Sequence, residues 1–225
     1  TKLHTTNNYQ GTNGSMITFV LGYAFYYVAA LLGISIGYHR YFSHRSFEAG
    51  PVAEIVMLFF GQICGGRSAI TWAAVHRMHH AGSDTESDPH SPQYKGWLNV
   101  LLSKWTVDYI PRKYIADLMK NPRVVFFHRY GNYIHGAWAI IVIASGGISG
   151  FISFVAMPWI LAYLGFGLLN WLAHTAGEPA DIPFANIFAP GEGWHKKHHD
   201  RPRDSRLHKY DIAGWTVERL FTKSK

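Results

Sequence analysis

Cysteine occurs once in this sequence of 225 residues, at Cys64. That excludes an intramolecular disulfide framework and any thiolate metal site. Charge is missing from two long stretches: residues 3–38 hold no Asp, Glu, Lys or Arg, and neither do the 48 residues 130–177. Also absent is any H-E-x-x-H or H-x-x-E-H pattern, so the helix that gives a zinc hydrolase two ligands and a general base is not there. The polar residues 1–15 carry no signal-peptide pattern. No internal repeat, low-complexity segment or linker divides the chain, and residues 1–225 read as one domain.

What is present is apolar length. A bilayer core about 30 Å thick needs roughly 20 apolar residues in a helix. Residues 16–36 are long enough to cross once, and residues 134–169 long enough for a hairpin of two spans, with Gly146, Gly147 and Gly150 near the turn. Pro158 falls in the second arm, where a membrane helix tolerates a kink. An uncharged run of this length is too long for the buried helices of a soluble core. A further apolar stretch, 52–75, carries Glu54, Arg67 and a Gly65-Gly66 pair and is expected to be interfacial or partly inserted. The fold class expected is all-α and membrane-embedded, with about three to four transmembrane helices. Of 21 Lys and Arg residues, 20 lie at or after Arg40, which puts the charged segments on the cytoplasmic face. The N-terminus is then expected outside.

The other feature is histidine, with 14 residues, most of them grouped. His39 and His44 follow the first span, His76, His79 and His80 follow the ambiguous stretch, and His195, His198 and His199 follow the hairpin. His174 ends the hairpin's second arm, four residues after Asn170. Residues at i, i+3 and i+4 share a helix face, so each H-x-x-H-H group points one way. His39 and His44 are about 140° apart on an ideal α-helix and share a face only if the helix ends between them; otherwise they reach different metals, or His44 sits in the loop. Neutral imidazole suits Fe, Zn, Cu and Ni, and nine histidines exceed one ion's shell. Two ions in a cytosolic, histidine-rich helical cap are expected. His4, His90, His128, His135 and His208 stand alone and read as surface or satisfied polar residues. A metal transporter would place its ligands inside the spans, not at their ends.

The boxes H-R-Y-F-S-H, H-R-M-H-H and G-E-G-W-H-K-K-H-H resemble those of membrane fatty-acyl desaturases of the delta-9 type. Asn170-Trp171-Leu172-Ala173-His174 resembles that family's N-x-x-x-H element. The resemblance covers residues 37–90 and 165–210. It implies a non-haem di-iron centre held by His39, His44, His76, His79, His80, His174, His195, His198 and His199, with Asn170 acting through water. It further implies O2 as co-substrate, a fatty-acyl substrate in the lipid bilayer, and a separate electron donor of ferredoxin or cytochrome b5 type. The product would be a cis double bond. Two departures bear on detail. Ala73, Ala74 and Val75 stand before the second box where the acyl-CoA branch carries charge, which favours a lipid-bound or carrier-bound chain. One span precedes the first box where the family usually has two, so either a further span lies upstream or this is a minimal version.

Supporting roles follow from chemistry near the boxes. Asp84, Asp88, Glu192, Asp200 and Asp211 are candidates to accept the second N–H of ligating histidines. Trp72, Trp171 and Trp194 flank the boxes and are candidates to wall an acyl tunnel. The basic run Lys196, Lys197, Arg201, Arg203, Arg206 and Lys209 suits anionic lipid or an acidic donor. Nucleic-acid binding is not expected. The competing function is a membrane di-iron hydroxylase of alkyl or sterol substrates; a metal transporter or zinc hydrolase ranks below it.

Overall fold

The computed structural model describes residues 8–223, with side chains from 16 to 222. His4 lies outside the described residues. The chain is mainly helical. Helix α1 (Asn8–Ala29) continues without a break into a π-wound segment, Ala30–Ser43. A two-residue strand β1 (Phe47–Glu48) precedes α2 (Pro51–Ile63) and α3 (Ala69–Gly82). Two short helices, α4 (Pro92–Lys95) and α5 (Trp97–Leu101), lead through two 3-10 turns to the long α6 (Pro122–Phe151). A π turn (Ile152–Ala156) joins α6 to α7 (Met157–Ala173). The chain closes with α8 (His195–Asp200), α9 (Ile212–Leu220) and β2 (Thr222–Lys223), which pairs antiparallel with β1, Phe47 opposite Lys223.

Two helical stretches are long and apolar enough to cross a membrane, Met16–Ser43 and Pro122–Ala173. The second is not one rod. Gly147 adopts φ 59 and ψ −155, a conformation that only glycine enters without strain, and it folds the stretch into two arms. Trp138 Nε1 donates to Phe154 O across them at 3.0 Å. The expected hairpin is present, but its first arm starts at Pro122, with Asn121 capping the Arg123 N–H at 3.0 Å. Pro158 sits in the first turn of α7, directly after the π turn, where the winding changes.

The exposed apolar surface marks where lipid contact is available. Ile17, Phe19, Val20 and Val28 on α1 are at least half exposed, as are Ile140, Ile148 and Ile160 on the hairpin. From Ala29 to Arg40 almost every residue is buried, because α2, α3 and the loops after α7 wrap that part of the helix. The exposed apolar stretch therefore ends before residue 36, and the rest of the predicted span is enclosed by protein. Tyr23 and Tyr26 tie α1 to that wrapping through bonds to Ile187 O and Phe188 O.

The stretch 52–75 is two helices rather than one. Gly65 (φ 87) and Arg67 (φ 57) reverse the chain between α2 and α3, and Ser68 caps α3 through Thr71 N at 3.3 Å. Helix α2 leaves Val52 and Ile55 exposed and packs its other face on the π-wound segment. The contact is close because it is glycine on glycine: a Cβ on Gly33 would collide with the backbone of Gly61, and one on Gly61 with the Tyr38 ring. Ile36, Tyr38, Phe42, Met57 and Leu58 form the core around it.

Candidate metal centre

The helices deliver nine imidazoles to one place. His39 lies in the last part of the π-wound segment, and His44 caps its end one π turn later. In π winding the bond runs from residue i to i+5, and His44 N donates to His39 O at 3.2 Å. Residues five apart are thus brought to one side, and the two rings lie 5.2 Å apart. The α-helical spacing argument, which separated them, fails at this point for that reason. Helix α3 supplies His76, His79 and His80 from one face, α8 supplies His195, His198 and His199, and His174 ends α7.

The Nε2 atoms face each other. His39 and His198 approach to 2.8 Å, His44 and His76 to 2.8 Å, His80 and His198 to 2.7 Å. In the other half, His174 and His195 lie at 2.8 Å, and His199 lies 3.2 Å from both His79 and His195. The ligand atoms of His39, His44, His76 and His198 all lie within 4.8 Å of one another, as do those of His79, His174, His195 and His199. Each group of four could hold one metal ion, with His80 reaching the first through His198 Nε2.

Carboxylates stand behind the rings. His39 Nδ1 lies 2.6 Å from Glu192, His79 Nδ1 2.9 Å from Asp88, and His174 Nδ1 2.9 Å from Asp84. A carboxylate at Nδ1 holds the proton there and leaves the Nε2 lone pair turned inward. Burial pushes His76, His79, His195 and His198 well below the usual imidazole range, and the neighbouring imidazoles push the same way. His80 is lowered to about 3 by the same causes. Burial alone would raise the Glu192 carboxyl, but His39 and Arg40 outweigh it and hold it below its ordinary range. Neutral rings with convergent lone pairs are the ligand form of histidine, so the donor set fits a pair of transition-metal ions.

Two of the five candidate carboxylates do other work. Asp200 lies on the outer side of α8 and pairs with Lys196 at 3.4 Å, both more than half exposed. Asp211 is buried but receives Arg40 at 3.1 Å and caps α9 through Gly214 N. It reaches the histidines only through Arg40, which bridges it to Glu192 at 3.2 Å.

A cavity of about 170 Å³ opens beside the imidazoles, lined by Trp72, Asn170, His76 and His195 and continuing between Ile34, Trp105, Phe166 and Leu169. Trp72 stacks on His76 at 4.8 Å. Trp171 and Trp194 are not part of this wall: Trp171 packs on Trp97, and Trp194 stacks on His208 at 3.8 Å. Both neighbour a site residue in sequence but point away from it. Trp105 takes their place from a loop that carries no periodic signal. His90 is the other residue missed. It lines the cavity, stacks on His79 at 4.3 Å and donates its backbone N–H to Asp88 Oδ1 at 3.0 Å. The Asp88-Pro89-His90 turn was the available signal, since a turn on a supporting carboxylate carries its next residue to the same place.

The model of the fatty acid desaturase family matches residues 16–213. The chain belongs to the fatty acid desaturase family. Its relatives include the sn-1 stearoyl-lipid 9-desaturase of Anabaena variabilis, 26% identical over 86% of this chain and 74% of that protein. The acyl-CoA Delta(11) desaturase of Trichoplusia ni is 30% identical over 78% of this chain and 56% of its own length. The Delta-9 acyl-lipid desaturase 1 of Arabidopsis thaliana is 27% identical, covering 77% and 61%. Family and relatives make this desaturase an oxidoreductase of lipid metabolism, and its two histidine groups are where a metal could bind.

Proposed function

We propose that this chain is an O2-dependent fatty-acyl desaturase that inserts a cis double bond, at the delta-9 position, into a saturated chain at a non-haem di-iron centre. The observation that carries the reading is the pair of four-histidine groups, carboxylate-backed and opening on an apolar cavity. The ligands are His39, His44, His76, His80 and His198 for one ion, and His79, His174, His195 and His199 for the other, with Asn170 acting through water from the cavity wall.

The placement of the carboxylates favours a redox centre over a zinc hydrolase. Asp84, Asp88 and Glu192 are each engaged with an imidazole, so none is free to serve as a hydrolytic base. When bound, two iron ions supply the reduction of O2 to two waters, using two electrons from a separate donor, two protons and the two hydrogens removed from adjacent methylenes.

The chain's own residues do the positioning. A saturated acyl chain has no group near its reacting carbons, so selection rests on where the cavity holds it. Trp72, Trp105, Phe166 and Ile34 supply apolar walls to the cavity. Apolar walls also keep water from the reacting carbons. Ala73 and Ala74 before the second box are buried and offer no charge to a coenzyme A phosphate. That supports a lipid-bound or carrier-bound chain. Three membrane crossings, one through α1 and two through the hairpin, with the cap on the cytoplasmic side, fit the distribution of Lys and Arg.

The test is expression in a host of known lipid composition, followed by gas chromatography–mass spectrometry of fatty acids. A new monounsaturated species is expected, and His79→Ala should abolish it. A hydroxylated product would turn the reading to an oxygenase of the same architecture. An unchanged profile with iron loaded and a working donor would end it.

A further inference from the structure

The two histidine groups differ in what stands behind them. In the group of His39, the one supporting carboxylate is Glu192. Its charge is shared: Oε1 accepts from Arg40 at 3.2 Å and from Ser35 Oγ at 2.5 Å. Arg40 is itself fully buried and also holds Asp211. In the group of His79 there are two supporting carboxylates, Asp88 behind His79 and Asp84 behind His174. Among the described residues no Arg or Lys pairs with either. Asp84 Oδ1 is buried and meets no protein donor. Asp84 also sits at φ 59, a backbone conformation that Asp tolerates but that is uncommon outside glycine and marks constrained sites. The bond from Asp84 N to Asp88 Oδ2 at 3.0 Å locks the two acids together.

Charges this close to a dication, on buried side chains, act at low effective dielectric. Two uncompensated carboxylates favour the ion more than one that an arginine partly neutralises. They also raise the basicity of the imidazoles they touch. We propose that the two metal positions are unequal by construction: the group of His79, His174, His195 and His199 fills first and empties last, and Asp84 and Asp88 set that order. The inference rests on the reading of the two groups as a paired metal site. Asp84 and Asp88 are positioning residues, acting on the ion through His174 and His79.

The test is anaerobic titration of the metal-stripped, detergent-solubilised full chain with Co(II), followed by calorimetry and by cobalt absorption. Two resolved steps of one equivalent each are expected. Asp84→Asn should weaken the tighter step about 10- to 100-fold and leave the weaker one in place. Asp88→Asn should act on the same step, and Glu192→Gln on the weaker step only. Chelator-driven release from the wild type needs no variant and should be biphasic. Two equivalents bound in a single step would overturn the ordering alone, as would Asp84→Asn and Glu192→Gln shifting the same step. Uptake below two equivalents by the wild type would overturn the paired-ion reading and the ordering with it.

Discussion

Among the described residues Arg40 is the largest fully buried side chain, and it donates to Glu192, Asp211, Ser35 and the carbonyls of Gly191 and Ser205. Removing one partner of such a pair leaves a charge with no solvent to take it up. Asp211→Ala is therefore expected to destabilise the protein by about 3–5 kcal/mol, read as a lowered unfolding midpoint in detergent. Asp200→Asn should leave stability and metal content unchanged, because an exposed i,i+4 pair contributes well under 1 kcal/mol. Asp117 gives a pH signature. Burial alone would raise its carboxyl, but hydrogen bonds and charge from Arg77 and Arg45 hold it far below the carboxylate range. A depressed native value means that the pairing stabilises the fold above the unfolded pKa of about 3.9 and is lost as pH falls through the native one. The stability gap between wild type and Asp117→Asn should stay constant from neutral pH to about 5 and shrink below about 4, measured by chemical unfolding across pH. At this scale the metal-binding candidates were legible because histidine in H-x-x-H-H spacing has few other uses. The supports were half legible. Acids close in sequence to a box share its neighbourhood but not its direction, which is why Asp84, Asp88 and Glu192 meet histidines while Asp200 and Asp211 do not.

Between the residues and the molecule lie two departures from regular helix, and each moves a ligand. The π winding of Ala30–Ser43 puts His44 beside His39. Inserting an alanine after Tyr41 would place His44 six positions past His39 and swing it by about 100°. The variant is expected to lose the metal of the His39 group and keep that of the His79 group, so that iron per chain falls from two to one. The second departure is the reversal at Gly65 and Arg67, which turns one predicted stretch into two helices and aims α3 back at the site. Where the π segment meets α2, Gly33→Ala should push the two helices apart. Overpacking against backbone costs about 1–3 kcal/mol or more, and here it also shifts His39 against α3, so a lower unfolding midpoint should come with lower iron content. Neither departure was readable from hydrophobic period. The close packing of Gly33 on Gly61 accompanies them, and a single sequence shows that contact as two unrelated glycines.

For the molecule as a whole, the long apolar runs, the hairpin and the gathering of the boxes were plain from where charge is missing. What hydropathy could not divide is the part of an apolar helix that meets lipid from the part that meets protein: residues 16–28 are mostly exposed, and those just after are enclosed. Sidedness has a direct check. Cys64 is the one cysteine and is fully buried, so a cysteine placed at Asp200 reports alone. It should react with an impermeant maleimide only when the cytoplasmic side is open to the reagent. The order of the boxes along the chain also bears on how the protein is made. His39 meets His198 across 159 positions, and His79 meets His199 across 120. Neither ion position is complete until the third box leaves the ribosome, by which time all the membrane segments described here have been synthesised. Under the proposed di-iron reading, metal would be fully held only by a chain whose described helices have all been made, so metal supply would set how much enzyme is active, not how much is translated.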